Sequence, residues 1–493
     1  MVNKAKSVYP YKWDKNSKIW RYSSYLREAV YYTFGQICPP KPYKSTFTVE
    51  EKPSSFLLKH QRTGLDMARR NAKYAFYCET GTGKSLIAAE ILKHKQCKSI
   101  IIAPLSILKS VWEKTINEFY PELNPQIINL YPLKKEDREK VIRGYNGIHI
   151  CNYESFKIHY DTIMAAGYKC LIIDESSKLK GRTTQIAKAL VQFGQKVESA
   201  YLLSGTPAPN TPLEYFSQLD LIAPGLLGYS FYAFRNRYFH SVDRNGFIWV
   251  EKKNMTSEFV ERLKKVCMFV KKNDVLDLPD RVFITKEVEM TGDQLRIYKQ
   301  MKRDFIAEIG EVMVISPTML SKIMRLRQIT SGFIYHKDGS VRFSTAKLEV
   351  LKETLEEIGD NQVIIWAVFK EEIRRLLEAI PDSRAVYGET ASQKEKDDNI
   401  EGFIRGDYKY LIANPQSLGH GVTLVNSSYA IYYSLDYSNE GYQQSADRIY
   451  RYGQKNQCTY IHLLCQDSID EIIYKVLQRK IAGTAEILEH LKQ

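Results

Sequence analysis

The stretch Tyr74 to Lys93, YAFYCETGTGKSLIAAEILK, decides how the rest of the chain is read. Its first five residues form a short apolar and aromatic run of the kind that makes a buried strand, and its last eight, LIAAEILK, are good helix formers. Between them lies Glu79-Thr80-Gly81-Thr82-Gly83-Lys84-Ser85. Strand, glycine loop and helix N-terminus are the parts of a phosphate cradle. Gly81 and Gly83, with Thr80 and Thr82, let backbone N–H groups approach phosphate oxygens, and the helix dipole favours their charge. Lys84 reaches the β and γ oxygens, and Ser85 ligates Mg²⁺. The full P-loop pattern has glycine where Cys78 stands.

Outward from this point, short β-branched runs recur at Ser99–Ala103, Ile148–Cys151, Cys170–Ile173 and Ala200–Leu203, alternating with longer helical stretches. Buried parallel strands joined by crossover helices are expected, making an α/β lobe. The run CLIID ends on Asp174-Glu175, placing a metal-binding carboxylate and a water-orienting one at a strand's end, where the acidic partner of a P-loop belongs. Ser204-Gly205-Thr206-Pro207 closes another strand and sets two hydroxyls at the same edge, suited to sensing the nucleotide. Upstream, Gln61 offers an amide that fits the two-sided hydrogen-bonding edge of adenine.

The strand rhythm returns at Gln362–Ala367, Arg384–Tyr387, Tyr410–Ala413, Ala430–Tyr433 and Tyr460–Leu464, predicting a second α/β lobe. Arg448 and Arg451 are three apart on an expected helix and so share a face. Their planar, permanently charged guanidinium groups suit a γ-phosphate reached across a cleft between lobes. The run YLIANPQSLGHGVTL leads a strand into a loop where Ser417, Gly419 and Gly421 bring backbone N–H groups near a nucleic-acid phosphate or a ribose.

A chain of 493 residues exceeds the roughly 100 to 200 residues of a single domain. Lys and Arg number 71 against 57 Asp and Glu, a net charge of +14, which favours a polyanionic partner over an acidic small molecule. The eight cysteines show no C-x-x-C pair and read as buried free thiols of a reducing compartment. No stretch approaches the roughly 18 apolar residues of a membrane span, and the N-terminus lacks a signal-peptide core, so no membrane association is expected.

In order along the chain, CETGTGKS, IIAPLSILKSVW, CNYESF, DESSK, LSGTPAPN, VIIWAVF, NPQSLGHGVTL and QQSADRIYRYGQ resemble motifs I, Ia, Ib, II, III, IV, V and VI of the Swi/Snf-type branch of superfamily 2 helicase-like ATPases. The arginines followed by Gly-Gln in the last segment are specific to this branch, and the likeness runs from about Phe56 to Lys480. The resemblance implies two RecA-like lobes with parallel sheets, plus helical protrusions inserted between motifs III and IV. The divisions expected are a basic and aromatic leader at 1–55, lobe 1 at 56–225, protrusions and linker at 226–345, and lobe 2 at 346–493. It implies ATP and Mg²⁺ as cofactors and ATP-dependent translocation on double-stranded DNA, by a monomeric motor of a minimal bacterial or viral kind. The alternatives are a strand-separating DNA or RNA helicase, or an interaction protein regulated by ATP. The compartment implied is the cytoplasm or nucleoid, with the nucleus as alternative.

Carried over by position, Lys84, Asp174, Glu175, Arg448 and Arg451 are catalytic, and Ser85 and Asp174 hold the metal. Gln61, Thr80, Gly81, Thr82, Gly83, Gly421 and Gln444 bind the nucleotide. Pro104, Leu105, Ser106, Tyr153, Glu154, Ser417, Leu418 and Gly419 fall where the family holds phosphates of the tracked strand. Motif II departs from the common pattern, having Ser176-Ser177 where Ala-His is usual, so Ser177 or Lys178 is expected to take over the link from ATP to motif III. The leader Tyr9–Tyr22 resembles the segment with which annealing helicases recognise branched DNA, its interleaved basic and aromatic residues suiting phosphates and exposed bases; the alternative is an N-terminal hairpin packed on lobe 1.

Overall fold

A computed structural model describes residues 11–14, 19–22, 53–242, 249–252, 255–290, 292–309, 317–337, 339–390, 392–418 and 421–492. Gly419 and most of the leader lie outside the described residues; of the leader, strands β1 (Tyr11–Asp14) and β2 (Ile19–Tyr22) pair as an antiparallel hairpin. The chain divides into two compact units, the first Met1–Leu276 with Ala482–Gln493 and the second Asp277–Ile481.

The first unit is built on β3 (Lys73–Cys78), β4 (Ser99–Ala103), β5 (Ile127–Asn129), β6 (Ile148–Asn152), β7 (Cys170–Asp174) and β8 (Ser199–Ser204). A two-stranded hairpin, β9 (Phe239–Ser241) with β10 (Trp249–Glu251), stands apart from this sheet, and β11 (Cys267–Val270) joins its edge. All pairs in the sheet are parallel, in the order β11-β3-β8-β7-β4-β6-β5. Alternate residues feed two different cores. Ala75, Tyr77, Ile100, Ile102, Leu171 and Ile173 pack on one face, while Phe76, Cys78, Ile101, Ala103, Ile172 and Leu203 pack on the other. Burial of both faces explains why these strands read as continuous apolar runs rather than alternating ones.

The second unit holds β12 (Arg281–Val288), the hairpin of β13 (Phe333–His336) and β14 (Gly339–Arg342), then β15 (Val363–Trp366), β16 (Ser383–Val386), β17 (Tyr410–Ala413), β18 (Tyr429–Tyr432) and β19 (Cys458–Cys465). Its sheet is again parallel throughout, ordered β12-β19-β18-β15-β17-β16. The fold class is therefore the one expected, two α/β lobes with parallel sheets. Residues 226–345 carry the helices Phe231–Tyr238, Thr256–Lys264, Gly292–Ile309 and Pro317–Thr330, and they also supply β11 to the first sheet and β12 to the second. The seven described cysteines are free. No helix among the described residues is long and apolar enough to cross a membrane.

Two buried polar arrangements brace the second unit. Lys347 is 2 % and Asp470 7 % exposed, with Nζ 2.6 Å from Oδ2. Asp470 also accepts from Thr330 Oγ1 at 2.9 Å and from the Cys465 N–H at 3.3 Å. Burial alone would depress the Lys347 ammonium, but the Asp470 charge outweighs it and lifts the group above its usual range. His462 stacks on Tyr432 with ring centroids 4.8 Å apart. The Ile284 carbonyl accepts from its Nδ1–H at 3.3 Å, which leaves Nε2 to accept from the Tyr442 hydroxyl at 3.0 Å. Burial holds this imidazole neutral, bringing its pKa down to about 4.

Lys347→Met should destabilise the second unit by about 3 to 5 kcal/mol, because it strands the Asp470 carboxylate, and Lys347→Met/Asp470→Leu should recover most of the loss; denaturant unfolding followed in that unit measures both. The unfolded chain protonates His462 near pH 6.5, whereas the folded chain does so only near 4. Stability from this residue is thus present above pH 6.5 and falls as the pH drops through that window, by roughly 3 kcal/mol at its lower end. Unfolding midpoints between pH 7 and 4.5 should show the decline, and His462→Gln should flatten it.

Candidate nucleotide site and adjoining surface

Neighbouring strands in the first sheet bring the sequence motifs together at one edge. β3, β8 and β7 lie side by side, so the glycine loop after Cys78, the Ser204–Pro207 turn and Asp174-Glu175 are adjacent at the carboxyl ends. Gly81 (φ 90°) and Gly83 (φ 80°) are left-handed, which a side chain opposes, and the helix Lys84–Lys95 starts at once. Lys84 donates from Nζ to the Cys78 carbonyl at 2.8 Å and the Glu79 carbonyl at 3.4 Å, so its ammonium is held inside the loop. Thr82 Oγ1 donates to the Glu79 carbonyl at 2.8 Å. The turn after β8 presses on this loop, since a Cβ on Gly205 would stand 2.7 Å from Thr80 Oγ1 and 3.4 Å from Lys84 Nζ.

The Gln61 amide, expected to face adenine, is instead spent within the protein. Its Nε2 donates to the Thr82 carbonyl at 3.0 Å, and its Oε1 accepts from the Leu58 N–H at 2.9 Å. His60 reaches the same Thr82 carbonyl through Nε2 at 2.7 Å. Both side chains brace the glycine loop from behind.

Asp174 is 5 % exposed. Its Oδ2 accepts from the buried Trp112 indole N–H at 2.9 Å, and its Oδ1 accepts from the Glu175 N–H at 3.0 Å. Burial, then the Glu175 charge, push its carboxyl above the usual range, with Lys84 pulling the other way. Glu175 takes a left-handed conformation (φ 54°), and its buried Oε2 has no hydrogen-bond partner among the described residues. A raised carboxyl and an orphaned one beside a held ammonium are what a divalent cation and its water would satisfy, so these residues fit Mg²⁺ with ATP.

Pro104–Ser106 and Tyr153–Glu154 follow β4 and β6, which pair Ala103 with Asn152, so the two segments are neighbours on the same edge. Leu105, Ser106 and Glu154 are exposed and Pro104 is buried. Tyr153 turns its hydroxyl to motif II, donating to the Asp174 carbonyl at 2.7 Å and the Glu175 carbonyl at 3.1 Å. Trp112, the last residue of motif Ia, lies in a π-helical turn (Leu108–Glu113) and was not singled out in the sequence. Its place at the end of IIAPLSILKSVW was the available signal.

In the second unit, Arg448 and Arg451 do not lie on a helix. The helix stops at Ala446 and both arginines follow in turns, because their side chains fold back onto the motif V backbone. Arg448 Nη1 donates to the Val422 carbonyl at 3.1 Å. Arg451 Nη1 donates to the Gly421 carbonyl and to Thr423 Oγ1, each at 3.1 Å. Motifs V and VI are thereby joined, and Gln444 lies on the same segment with a buried Nε2 that has no partner among the described residues. Gln454 closes the joint, donating to the Ser427 carbonyl at 2.9 Å and the Ile449 carbonyl at 3.0 Å. Ser417 and Leu418 sit in a turn capped by the Asn414 carbonyl, and the Leu418 side chain belongs to the core, leaving only its backbone for a ligand.

A Cβ at position 83 would stand 2.3 Å from Gln61 Nε2, in a backbone conformation that side chains resist. Gly83→Ala should weaken binding of a fluorescent ATP analogue by ~10-fold or more, given a cost of order 1 to 3 kcal/mol.

The SNF2-related domain model matches residues 17–332, and the helicase conserved C-terminal domain model matches residues 346–453. Protein p41 of Acyrthosiphon pisum secondary endosymbiont phage 1 is 23% identical, over 87% of this chain and 96% of its own length. The DNA annealing helicase and endonuclease ZRANB3 of Mus musculus is 25% identical over 90% of this chain, which spans only 42% of that relative. The Sulfolobus solfataricus SWI2/SNF2 ATPase core in complex with dsDNA is 23% identical, covering 89% of this chain and 92% of that one, with a TM-score of 0.41. Matched by the first family model over more than half its length, the chain belongs to the SNF2-related family of helicase-like ATPases.

Proposed function

We propose that the chain is a DNA-stimulated ATPase that translocates on double-stranded DNA as a monomeric motor. The observation that carries this reading is the shared sheet edge of the first unit. There the segments Pro104–Ser106 and Tyr153–Glu154, with Leu105, Ser106 and Glu154 exposed, adjoin the nucleotide residues, and three hydrogen bonds, one from Trp112 and two from Tyr153, run from this side to Asp174 and Glu175. A strand held at Leu105, Ser106 and Glu154 thus acts directly on the groups that hydrolyse ATP.

In this mechanism the glycine loop and the Lys84 ammonium hold the β and γ phosphates. Mg²⁺, when bound, offsets phosphate charge, and Ser85 and Asp174 would hold it. Glu175 orients and accepts a proton from the attacking water through the carboxylate oxygen that lacks a partner. Arg448 and Arg451, whose guanidinium groups rest on motif V carbonyls, are assigned to γ-phosphate oxygens, with Gly421 and Gln444 as further nucleotide contacts. Contacts to the polymer, including Ser417, the Leu418 backbone and Gly419, are to phosphates, so binding is salt-sensitive and nearly independent of base sequence.

Branched DNA is the second reading. Strands β1 and β2, which carry Lys12, Trp13, Trp20 and Arg21, lie within the basic and aromatic leader, and a relative of this chain is a DNA annealing helicase.

Lys84→Ala and Glu175→Gln should each lower DNA-stimulated turnover by ~100-fold or more while leaving duplex affinity within about twofold. Undiminished hydrolysis in both would sink the site assignment. Turnover measured with duplex, forked and single-stranded DNA and with RNA identifies the polymer, and stimulation by single-stranded RNA alone would reject the duplex reading. Displacement of a third strand from a DNA triplex reports movement; ATP-dependent binding without displacement would make the protein a clamp.

A further inference from the structure

Motif II lacks the histidine usual at its fourth position, yet it is joined to motif III. Gln218, on the helix Tyr215–Ile222, is completely buried. Its Oε1 accepts from Ser176 Oγ at 2.8 Å, and its Nε2 donates to the Pro207 carbonyl at 2.7 Å. Both remaining positions of the amide are also used. Oε1 accepts from the Tyr77 hydroxyl at 3.2 Å, and Nε2 donates to the Glu214 carbonyl at 3.1 Å. One side chain therefore ties together the residue after Glu175, the residue after the Gly205-Thr206 turn, and the strand residue before Cys78, whose carbonyl holds Lys84.

We infer that Gln218 is a positioning residue for ATP hydrolysis, fixing the Glu175 backbone against motif III in place of a motif II histidine. The sequence led us to expect Ser177 or Lys178 in this part; Lys178 is exposed, Ser177 is buried next in sequence, and the hydrogen bond from motif II to Gln218 starts from Ser176. The geometry suits the task because a single amide both accepts and donates. When motif III moves with the Pro207 carbonyl, the pull passes through one planar group to Ser176 and so to Glu175. Gly205 stands against Thr80 and Lys84 at the other end of the same turn, so motif III is held from both the phosphate side and the water side. Gln218 itself lies behind the turn with every polar position occupied, so it shapes the site without touching the nucleotide. Loss of the amide should leave ATP binding intact and slow the step that needs Glu175 in place.

The test is steady-state hydrolysis without and with duplex DNA, by Gln218→Leu, Ser176→Ala and their combination, with Tyr77→Phe as control. The inference rests on the assignment of Glu175 to hydrolysis and not on the identity of the polymer. If duplex DNA fails to stimulate the unaltered protein, the translocase reading falls while the comparison of DNA-free turnover still decides the role of Gln218. Expected are a kcat lowered ~10-fold in Gln218→Leu, with KM for ATP within about threefold, and a smaller loss of the same kind in Ser176→Ala. The double variant should be no slower than Gln218→Leu, because both changes cut one link. Tyr77→Phe, which leaves that link whole, should stay within about twofold in kcat. If kcat in Gln218→Leu is unchanged, if KM alone rises, or if the two effects multiply, the proposal is overturned. Thermal melting checks folding; should Gln218→Leu not fold, Ser176→Ala carries the test, and an unaltered kcat there overturns the proposal equally.

Discussion

A parallel strand buried on both faces has nowhere to place a charge except at its ends, and this constraint organises the first unit. β3, β8 and β7 feed apolar side chains into cores above and below the sheet, and so each discharges its polar residues at the carboxyl edge. Because these strands are immediate neighbours, the glycine loop, the motif III turn and the acidic pair meet although they are far apart in sequence. The motif Ia and Ib segments follow on the next strands for the same reason. Chemistry is thereby placed on a rigid frame, and the groups that hold a ligand owe their position to side chains that never touch it.

The site stores unfavourable features that the frame supports. Asp174 is a carboxyl kept out of water beside a second carboxyl. Glu175 adopts a backbone conformation that costs a non-glycine residue of order 1 to 3 kcal/mol. Hydrogen bonds from Trp112 and Tyr153, with the Ser176 to Gln218 contact, hold that arrangement. Such a site is more comfortable with its ligand than without it, which is a general way for a protein to exchange stability for activity.

Much of the fold was legible because buried parallel strands are short, apolar and regularly interrupted. The runs read at Tyr74–Cys78, Ser99–Ala103, Ile148–Cys151 and Cys170–Ile173 are strands to within a residue or two, as are those at Tyr410–Ala413 and Ala430–Tyr433. Among the described strands of the two parallel sheets, three were missed. β5 is only three residues long, β11 hides in a basic cluster, and β12, an edge strand, is largely exposed and carries charges along its length. The glycine loop before the helix Lys84–Lys95 was legible because its sequence pattern is local. Gln218, Trp112 and Gln454 were not, since a contact spanning tens of residues leaves no trace in spacing. Arg448 and Arg451 were read as sharing a helix face but follow the helix instead, and nothing local announces that their side chains will cap the motif V carbonyls.

β11 runs parallel to β3 in the register Cys267 to Ala75 through Val270 to Cys78. The junction is extended past the sheet by the Glu79 N–H, which donates to the Val270 carbonyl at 2.9 Å, and by the Lys272 N–H, which donates to Glu79 Oε2 at 2.9 Å. The second unit begins only a few residues later, at Asp277. A tensile load entering the first unit through this connection is therefore borne in shear along the strand that carries the glycine loop, where hydrogen bonds must yield together rather than one at a time. Force on the connection therefore arrives at the strand that carries the glycine loop before it reaches any other part of the sheet.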